Sequence, residues 1–477
     1  MRYVSTRGQA APVSFLDAVL AGLAPDGGLY VPEQWPTLNF KPDIANNHYN
    51  YAAMRVLDVF SDGEIGYDDG GLATLCNQAY IAAPTPEQLE ANAPWTAKWP
   101  TAVTPLRQLG VGNWLLELFH GPSLSFKDVA MQLIGPLYDF ALAKRDRRLT
   151  VLCATSGDTG GAAVEALKNR DRVDLFVLTP KGRVSDVQRR FMTSSGAPNV
   201  HVLEIDSDFD ACQAIVKALF ADAEYANRAQ LSGVNSINWA RIVAQSVYFH
   251  LSAHALSAAG PVNFVVPTGN MGDAYSGWVA KQMGAPIGRI VVATNANDII
   301  ARALETGRYA RAASQATLSP AMDIQVASNF ERILFAALGR DSDKLRALYA
   351  SFAQSGGFDI PPDALERLRE DFGAGAVDDA ETMQVMADYA EHEGLIVCPH
   401  TAVGLWAPHH PGGAPTVHLA TAHPAKFPET VEQATGVRPP LPAKCADLYE
   451  RPEKFDALPA DAEAVKAYIR ERSRAWS

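Results

Sequence analysis

Between residues 114 and 294, short uninterrupted apolar runs alternate with helical segments, and few folds accept that alternation. "LTVLCA", "VDLFVLTP", "PVNFVVP" and "RIVVATN" offer apolar residues to both sides of a strand, and "VHVLEID" nearly so. Strands of that kind belong to a parallel sheet covered by helices on both faces. The intervening stretches, "GGAAVEALKN", "DACQAIVKALFADA", "SINWARIVAQSVYFHLSAHALSAA" and "DAYSGWVAKQMG", have helical length and spacing. "WLLELF" is a further strand, and "KDVAMQLIGPLYDFALAKR" is helical, with Gly135-Pro136 predicted to break or kink it. Ser185 and Gln188 form a capping box, and Ser236 is the expected N-cap of the long apolar helix. Ligands on such sheets bind beyond the carboxyl ends of the strands.

A chain of 477 residues exceeds one ordinary domain. Residues 1–94 read as a separate unit: a short helix, a Pro-Asp-Gly-Gly turn and a brief extended piece, then amphipathic helices in "NYAAMRVLDVF" and "LATLCNQAYIAA". This unit carries no chemical motif and is expected to pack or to form a dimer face. An α/β unit at 95–235 and a second at 236–430 follow. The second carries a charged helical insertion at about 306–392, after which "LIVCP" and "TVHLATAHP" resume the sheet. Residues 431–477 form a tail ending in a charged helix.

A net charge of −12 argues against a nucleic-acid binder, which needs a basic face. No eighteen-residue apolar run is present, so no membrane helix is expected, and the first residues lack the apolar core of a signal peptide. Five scattered cysteines without a CxxC pair read as reduced thiols of a cytoplasmic protein. His250 and His254 are four apart on a helix but lack a third ligand, so a packing role is favoured over metal. His409 and His410 read as exposed in a Pro/Gly loop, and "DSDFDA" lacks the glycine and glutamate of a calcium loop.

Two glycine-rich loops, "CATSGDTGGAA" at 153–163 and "VPTGNMGDAY" at 266–275, each end a strand and open a helix. Free N–H groups there suit an anion, although each loop alone could be a tight turn with a cap. Lys127, in "HGPSLSFKDVAMQ", lies between a small turn-forming run and an apolar helix. It could be a lysine snorkelling from a helix start. Beside two anion loops, it could instead form a Schiff base with a carbonyl cofactor. Pyridoxal phosphate has an aldehyde for the lysine and a phosphate for a glycine loop. Thr421, past the strand in "HLATAHPAKF", offers a hydroxyl to a ring nitrogen or closes a strand-end turn.

In these residues the chain resembles the threonine synthases of the long bacterial and fungal form, pyridoxal-phosphate enzymes of the tryptophan-synthase-β type. The resemblance runs through "YVSTRG", "GLAPDGGLYVP", "HGPSLSFKDVA", "TSGDTGGAA", "SINWARI", "PTGNMGD", "ATNANDI", "MDIQVASNFERILF", "PHTAVG" and "ATAHPAKF". It implies the pyridoxal-phosphate fold type II: two three-layer α/β domains with parallel sheets, behind a mainly helical N-terminal domain. It also implies conversion of O-phospho-L-homoserine and water to L-threonine and phosphate by a monomer or homodimer. Lys127 is then the Schiff-base lysine. Gly269, Asn270, Met271, Gly272 and Asp273 match the cofactor-phosphate loop, and Thr421 the ring-nitrogen hydroxyl. Thr155, Ser156, Gly157, Asp158 and Thr159 match the loop for the substrate carboxylate. Asp158 stands where shorter relatives carry asparagine, and is expected to cap the following helix instead. Lys181, with Ser156 and Arg332, is the expected partner of the leaving phosphate. A phospholyase or serine/threonine dehydratase of the same fold is the alternative, and a catalytically silent homologue a weaker one.

Overall fold

The computed structural model describes residues 1–39, 49–67, 70–80, 99, 102–406 and 413–476. The loop holding His409 and His410, and the boundary expected near residue 94, lie outside them. The N-terminal block pairs β1 (Tyr3–Ser5) with β2 (Tyr30–Pro32), antiparallel. It adds helices Phe15–Ala21, Tyr49–Ser61 and Leu72–Tyr80. Hydrogen bonds fasten it to the body. The Tyr80 hydroxyl donates to the Val129 carbonyl at 2.7 Å, Ser232 to that of Leu20 at 2.6 Å, and Asn238 to that of Val19 at 2.9 Å.

A hairpin, β3 (Leu106–Gly110) and β4 (Asn113–Glu117), follows. Next come β5 (Leu149–Ala154), β6 (Val173–Pro180), β7 (Val200–Ile205), β8 (Leu231–Ser232), β9 (Val262–Pro267) and β10 (Ile287–Thr294). A small antiparallel pair, β11 (Arg308–Ala310) and β12 (Gly357–Asp359), precedes β13 (Phe372–Ala376), β14 (Thr416–Ala420) and β15 (Asp456–Leu458). Two larger sheets result. One is wholly parallel, in the order β15-β7-β6-β5-β8. The other runs β13-β10-β9-β14-β4-β3 and is parallel except for the edge strand β3. β5 and β6 are buried along their whole length, as their continuous apolar runs require.

Several expectations change. β3 and β4 join the six-stranded sheet, so the segment before Lys127 shares its sheet with strands of the predicted 236–430 unit. "LIVCP" is not a strand: Cys398 caps the Pro399–Leu405 helix, with Pro399 at its first position. The edge strand is "FGAGA", β13, inside the segment predicted to be a helical insertion. Its small residues gave no strand signal because a neighbour needs the room: a Cβ on Gly375 would lie 2.8 Å from the Trp406 ring. The Lys127–Lys144 helix continues through Pro136. Gly135 lets the next helix approach, a Cβ there falling 2.6 Å from the Ala166 carbonyl oxygen. The long helix is Trp239–Leu256, capped by Asn238 rather than Ser236, the Asn238 side chain accepting from the Ala240 N–H at 2.9 Å. The tail is integral, since β15 extends a sheet and Arg474 pairs with buried Asp174 at 2.8 Å.

Candidate active site

The residues that follow β5, β9 and β14 line one cavity of about 780 Å³. Lys127 enters it as the first residue of its helix. The small residues before it serve the helix start. The Ser123 N–H and hydroxyl each donate to Asp128 at 2.8 Å, and the Ser125 N–H at 3.3 Å. Gly121 leaves room for that carboxylate, and Leu124 turns the chain at φ +63°. The loop then pairs with the chain after β14. The Phe126 N–H donates to the Thr421 carbonyl at 2.8 Å, the His423 N–H to that of Leu124 at 3.0 Å, and Ser125 bridges Ala422. Burial pushes the Lys127 amine below the usual lysine range; Asp158 opposes this, while Arg241 and Lys426 add to it.

In the first loop Asp158 is the first helical residue and not the cap, a position held by Gly157. The Thr155 hydroxyl accepts from the N–H groups of Gly157 at 2.9 Å and Gly160 at 3.0 Å. Gly157 sits at φ +133° against the Gln188 amide, a conformation and a fit that require glycine. Thr155, Ser156, Asp158 and Thr159 line the cavity, whereas Gly157 shapes the turn behind it. Asp158 points one oxygen to Lys426 at 2.8 Å and Gln188 at 2.9 Å, and the other to Lys127 at 3.5 Å. Burial resists its ionisation, but Lys426, Lys127 and His400 outweigh burial and hold it well below the usual carboxylate range.

In the second loop Gly269, Asn270, Gly272 and Asp273 line the cavity, and Gly272 opens the Gly272–Gln282 helix. Met271 makes the turn in the left-handed region, φ +60°, and does not itself face the cavity. Gly269 is pressed against Ile324 and Met322, and Asn270 accepts from the Ser328 hydroxyl at 3.1 Å. Asp273 takes a hydrogen bond from Tyr248 on one oxygen, and the other has no partner among the described residues. Burial pushes its carboxyl up to about 7. The Thr421 hydroxyl also lines the cavity and has no hydrogen-bond partner among the described residues.

Two expected partners of a phosphate are elsewhere. Lys181 is exposed on the turn after β6, outside the cavity wall. Arg332 is fully buried in the core, its nitrogens donating to the carbonyls of Tyr30 and Ile237 and to Asn329. The sequence assigned no site role to Lys426, His400 or Arg241, and gave Gln188 only its part in the capping box. Lys426 and Arg241 lay inside "ATAHPAKF" and "SINWARI"; a basic residue amid apolar ones was the available signal. His400 accepts from the Ala321 N–H at 3.2 Å, and burial pushes it down to about 4. His250 is buried and stacks on His254.

Family models of known proteins match three segments: the threonine synthase N terminus at residues 2–80, pyridoxal-phosphate dependent enzymes at 95–351, and the threonine synthase C-terminal region at 401–469. The chain is 44% identical to a threonine synthase of Pseudomonas aeruginosa, over 98% of each chain. Among solved structures, a pyridoxal-phosphate-bound threonine synthase from Brucella melitensis superposes with a TM-score of 0.90 at 46% identity, covering 99% of this chain and 100% of that one. Threonine synthase from yeast superposes with a TM-score of 0.87 at 34% identity, covering 99% and 98%.

Proposed function

The chain belongs to the threonine synthase family of pyridoxal-phosphate-dependent enzymes, and we propose that it converts O-phospho-L-homoserine and water to L-threonine and phosphate. The observation that carries this reading is the meeting of Lys127 and the orphaned Thr421 hydroxyl on one cavity wall. A buried hydroxyl without a partner costs stability unless a ligand completes it. The residues therefore fit the cofactor: Lys127 for its aldehyde, Thr421 for its ring nitrogen, and Gly269 to Asp273 with the start of the Gly272–Gln282 helix for its phosphate. Bound there, pyridoxal phosphate supplies the electron sink that makes protons on the substrate carbons removable.

The chain's own residues do the rest. Burial keeps the proton on Lys127 weakly held, so the amine, once free, can take a proton from one substrate carbon and return it at another. Its short tether to a rigid helix start keeps it within reach. The donors of the 155–159 loop suit the substrate carboxylate. The Thr421 hydroxyl, rather than an acid, would be the partner of the ring nitrogen; it would leave that nitrogen unprotonated and favour elimination and replacement over transamination. Five buried free thiols support a reducing, cytoplasmic setting. No helix among the described residues is long and apolar enough to cross a membrane. The chain acts as a monomer or homodimer, with 1–94 as a packing unit and the cavity between the two α/β units.

The test is product analysis with O-phospho-L-homoserine. Threonine and phosphate in equal amounts support the proposal, and an oxo acid with ammonia would instead assign a dehydratase or phospholyase.

A further inference from the structure

Asn329 stands at the N-cap position of the Phe330–Ala337 helix, yet its side chain makes no capping hydrogen bond. Asparagine is favoured at such a position because its oxygen can accept from the first turn of the helix. Here that oxygen accepts from the Arg332 guanidinium at 2.6 Å, and the amide nitrogen donates to the Ser236 carbonyl at 3.1 Å. The Asn329 backbone N–H donates to the Asn270 carbonyl at 3.0 Å. One fully buried residue outside the cavity wall thus bonds to two segments that line it: the second glycine loop and the turn before the Trp239–Leu256 helix. Gly272 lies between them. A Cβ there would fall 3.1 Å from the Ser236 side chain and 3.2 Å from the Asn329 amide, so the loop is seated against this contact. The preceding residue, Ser328, faces the cavity and donates its hydroxyl to the Asn270 side chain at 3.1 Å.

Arg332 carries the contact further. Its nitrogens also donate to the Ile237 carbonyl at 2.7 Å and to the Tyr30 carbonyl, at the start of β2, at 2.9 and 3.1 Å. The guanidinium lies over the rings of Trp239 and Tyr275, 5.5 and 5.8 Å from their centres. Oxygens without formal charge and two aromatic faces therefore hold this buried cation. An apolar side chain of similar length would fill the same core without the desolvation of a charge. What only the guanidinium supplies is a rigid fork that bonds several chain segments at fixed angles.

We propose that Asn329 and Arg332 are positioning residues. Together they form a buried bracket that holds the second glycine loop at one spacing from the 235–237 segment. Through Tyr30 the bracket makes the N-terminal unit part of the framework of the cofactor site, beyond a packing role. Neither residue lines the cavity. The proposal rests on the cofactor reading of the second loop and is independent of the reaction assigned above.

The test uses Asn329→Ala, Arg332→Met and the double variant, with Asn329→Asp as the conservative change. The aspartate keeps an acceptor for Arg332 and deletes only the donor to Ser236, so it stays informative where the alanine or methionine variant folds poorly. Folding is checked by circular dichroism and thermal melting. Pyridoxal phosphate and pyridoxal are titrated into cofactor-free protein by absorbance. A displaced loop should weaken pyridoxal phosphate roughly tenfold or more in each single variant and leave pyridoxal, which lacks the phosphate, within about twofold. The double variant should lose no more than the weaker-binding single one, because removing either end opens the same bracket. The proposal is overturned if Asn329→Asp binds pyridoxal phosphate as the wild type does, if both ligands weaken alike in step with the melting temperature, or if the losses of the single variants add in the double. A wild type that takes up pyridoxal phosphate yet makes no threonine would sink the proposed reaction and leave the bracket standing.

Discussion

Lys426 and Asp158 pair at 2.8 Å with almost no solvent contact, bringing together the chain after β14 and the loop after β5. Lys127 stands at the other oxygen of the same carboxylate. One buried carboxylate is thus shared by two buried amines: it supports the charge on Lys127, while Lys426 opposes it.

Lys426→Met should be strongly destabilising, because it strands a buried carboxylate. A loss of about 3–5 kcal/mol is expected in urea unfolding. Adding Asp158→Asn should recover part of that loss. A double variant no more stable than the single would mean that the pair is not coupled as drawn.

Lys127→Ala should keep the fold and abolish both turnover and the visible absorbance of lysine-linked cofactor. Borohydride reduction of the wild type followed by peptide mapping should find the pyridoxyl tag on Lys127. A tag on any other lysine would remove the basis of the assignment.

Thr421→Val keeps the shape and deletes an unpartnered hydroxyl. Stability of the cofactor-free protein should change by no more than about 1 kcal/mol, while turnover falls about tenfold or more, the worth of one hydrogen bond of about 1.4 kcal/mol. Equal losses in both would mark Thr421 as a packing residue only.

Asp273 predicts a pH dependence. Its carboxyl titrates near 3.8 when unfolded and about 7 when folded. A raised acid favours the fold only while protonated, so this contribution is full below about pH 3.8 and fades as pH climbs to about 7. Asp273→Asn should therefore leave stability near pH 4 little changed and raise it at about pH 8, by an amount on the order of a few kcal/mol. Denaturant unfolding of the cofactor-free protein at both pH values measures this.

Gly269→Ala places a Cβ 2.8 Å from Ile324 and 3.1 Å from the Met322 backbone. Displacement of the second loop should weaken pyridoxal phosphate binding by roughly tenfold or more. Spectroscopic titration reads it directly.

The sequence announced what depends on local pattern. The buried strands β5, β6, β9 and β10, the Ser185–Gln188 capping box and both glycine loops stand where their residues predicted. What escaped depended on partners distant in the chain. β13 is a strand because β10 and Trp406 accept it, not because Phe-Gly-Ala-Gly-Ala favours one. Asn238 displaced Ser236 as cap because its side chain also reaches Val19, Tyr138 and Gly233. Lys181 looked suited to a phosphate because it follows a strand, but the chain there turns outward. Arg332 looked free because its carbonyl partners are 95 and 302 residues away. Arg241 carried no signal beyond a basic residue in an apolar helix.

The short antiparallel stitch from Leu124–Phe126 to Thr421–His423 ties the backbone that carries Lys127 to the backbone that carries Thr421. Any sliding of the five-stranded layer would alter the grip of the 155–159 turn, yet leave that tie in place. Capture of a reactant can thus be tuned independently of the alignment that the chemistry demands.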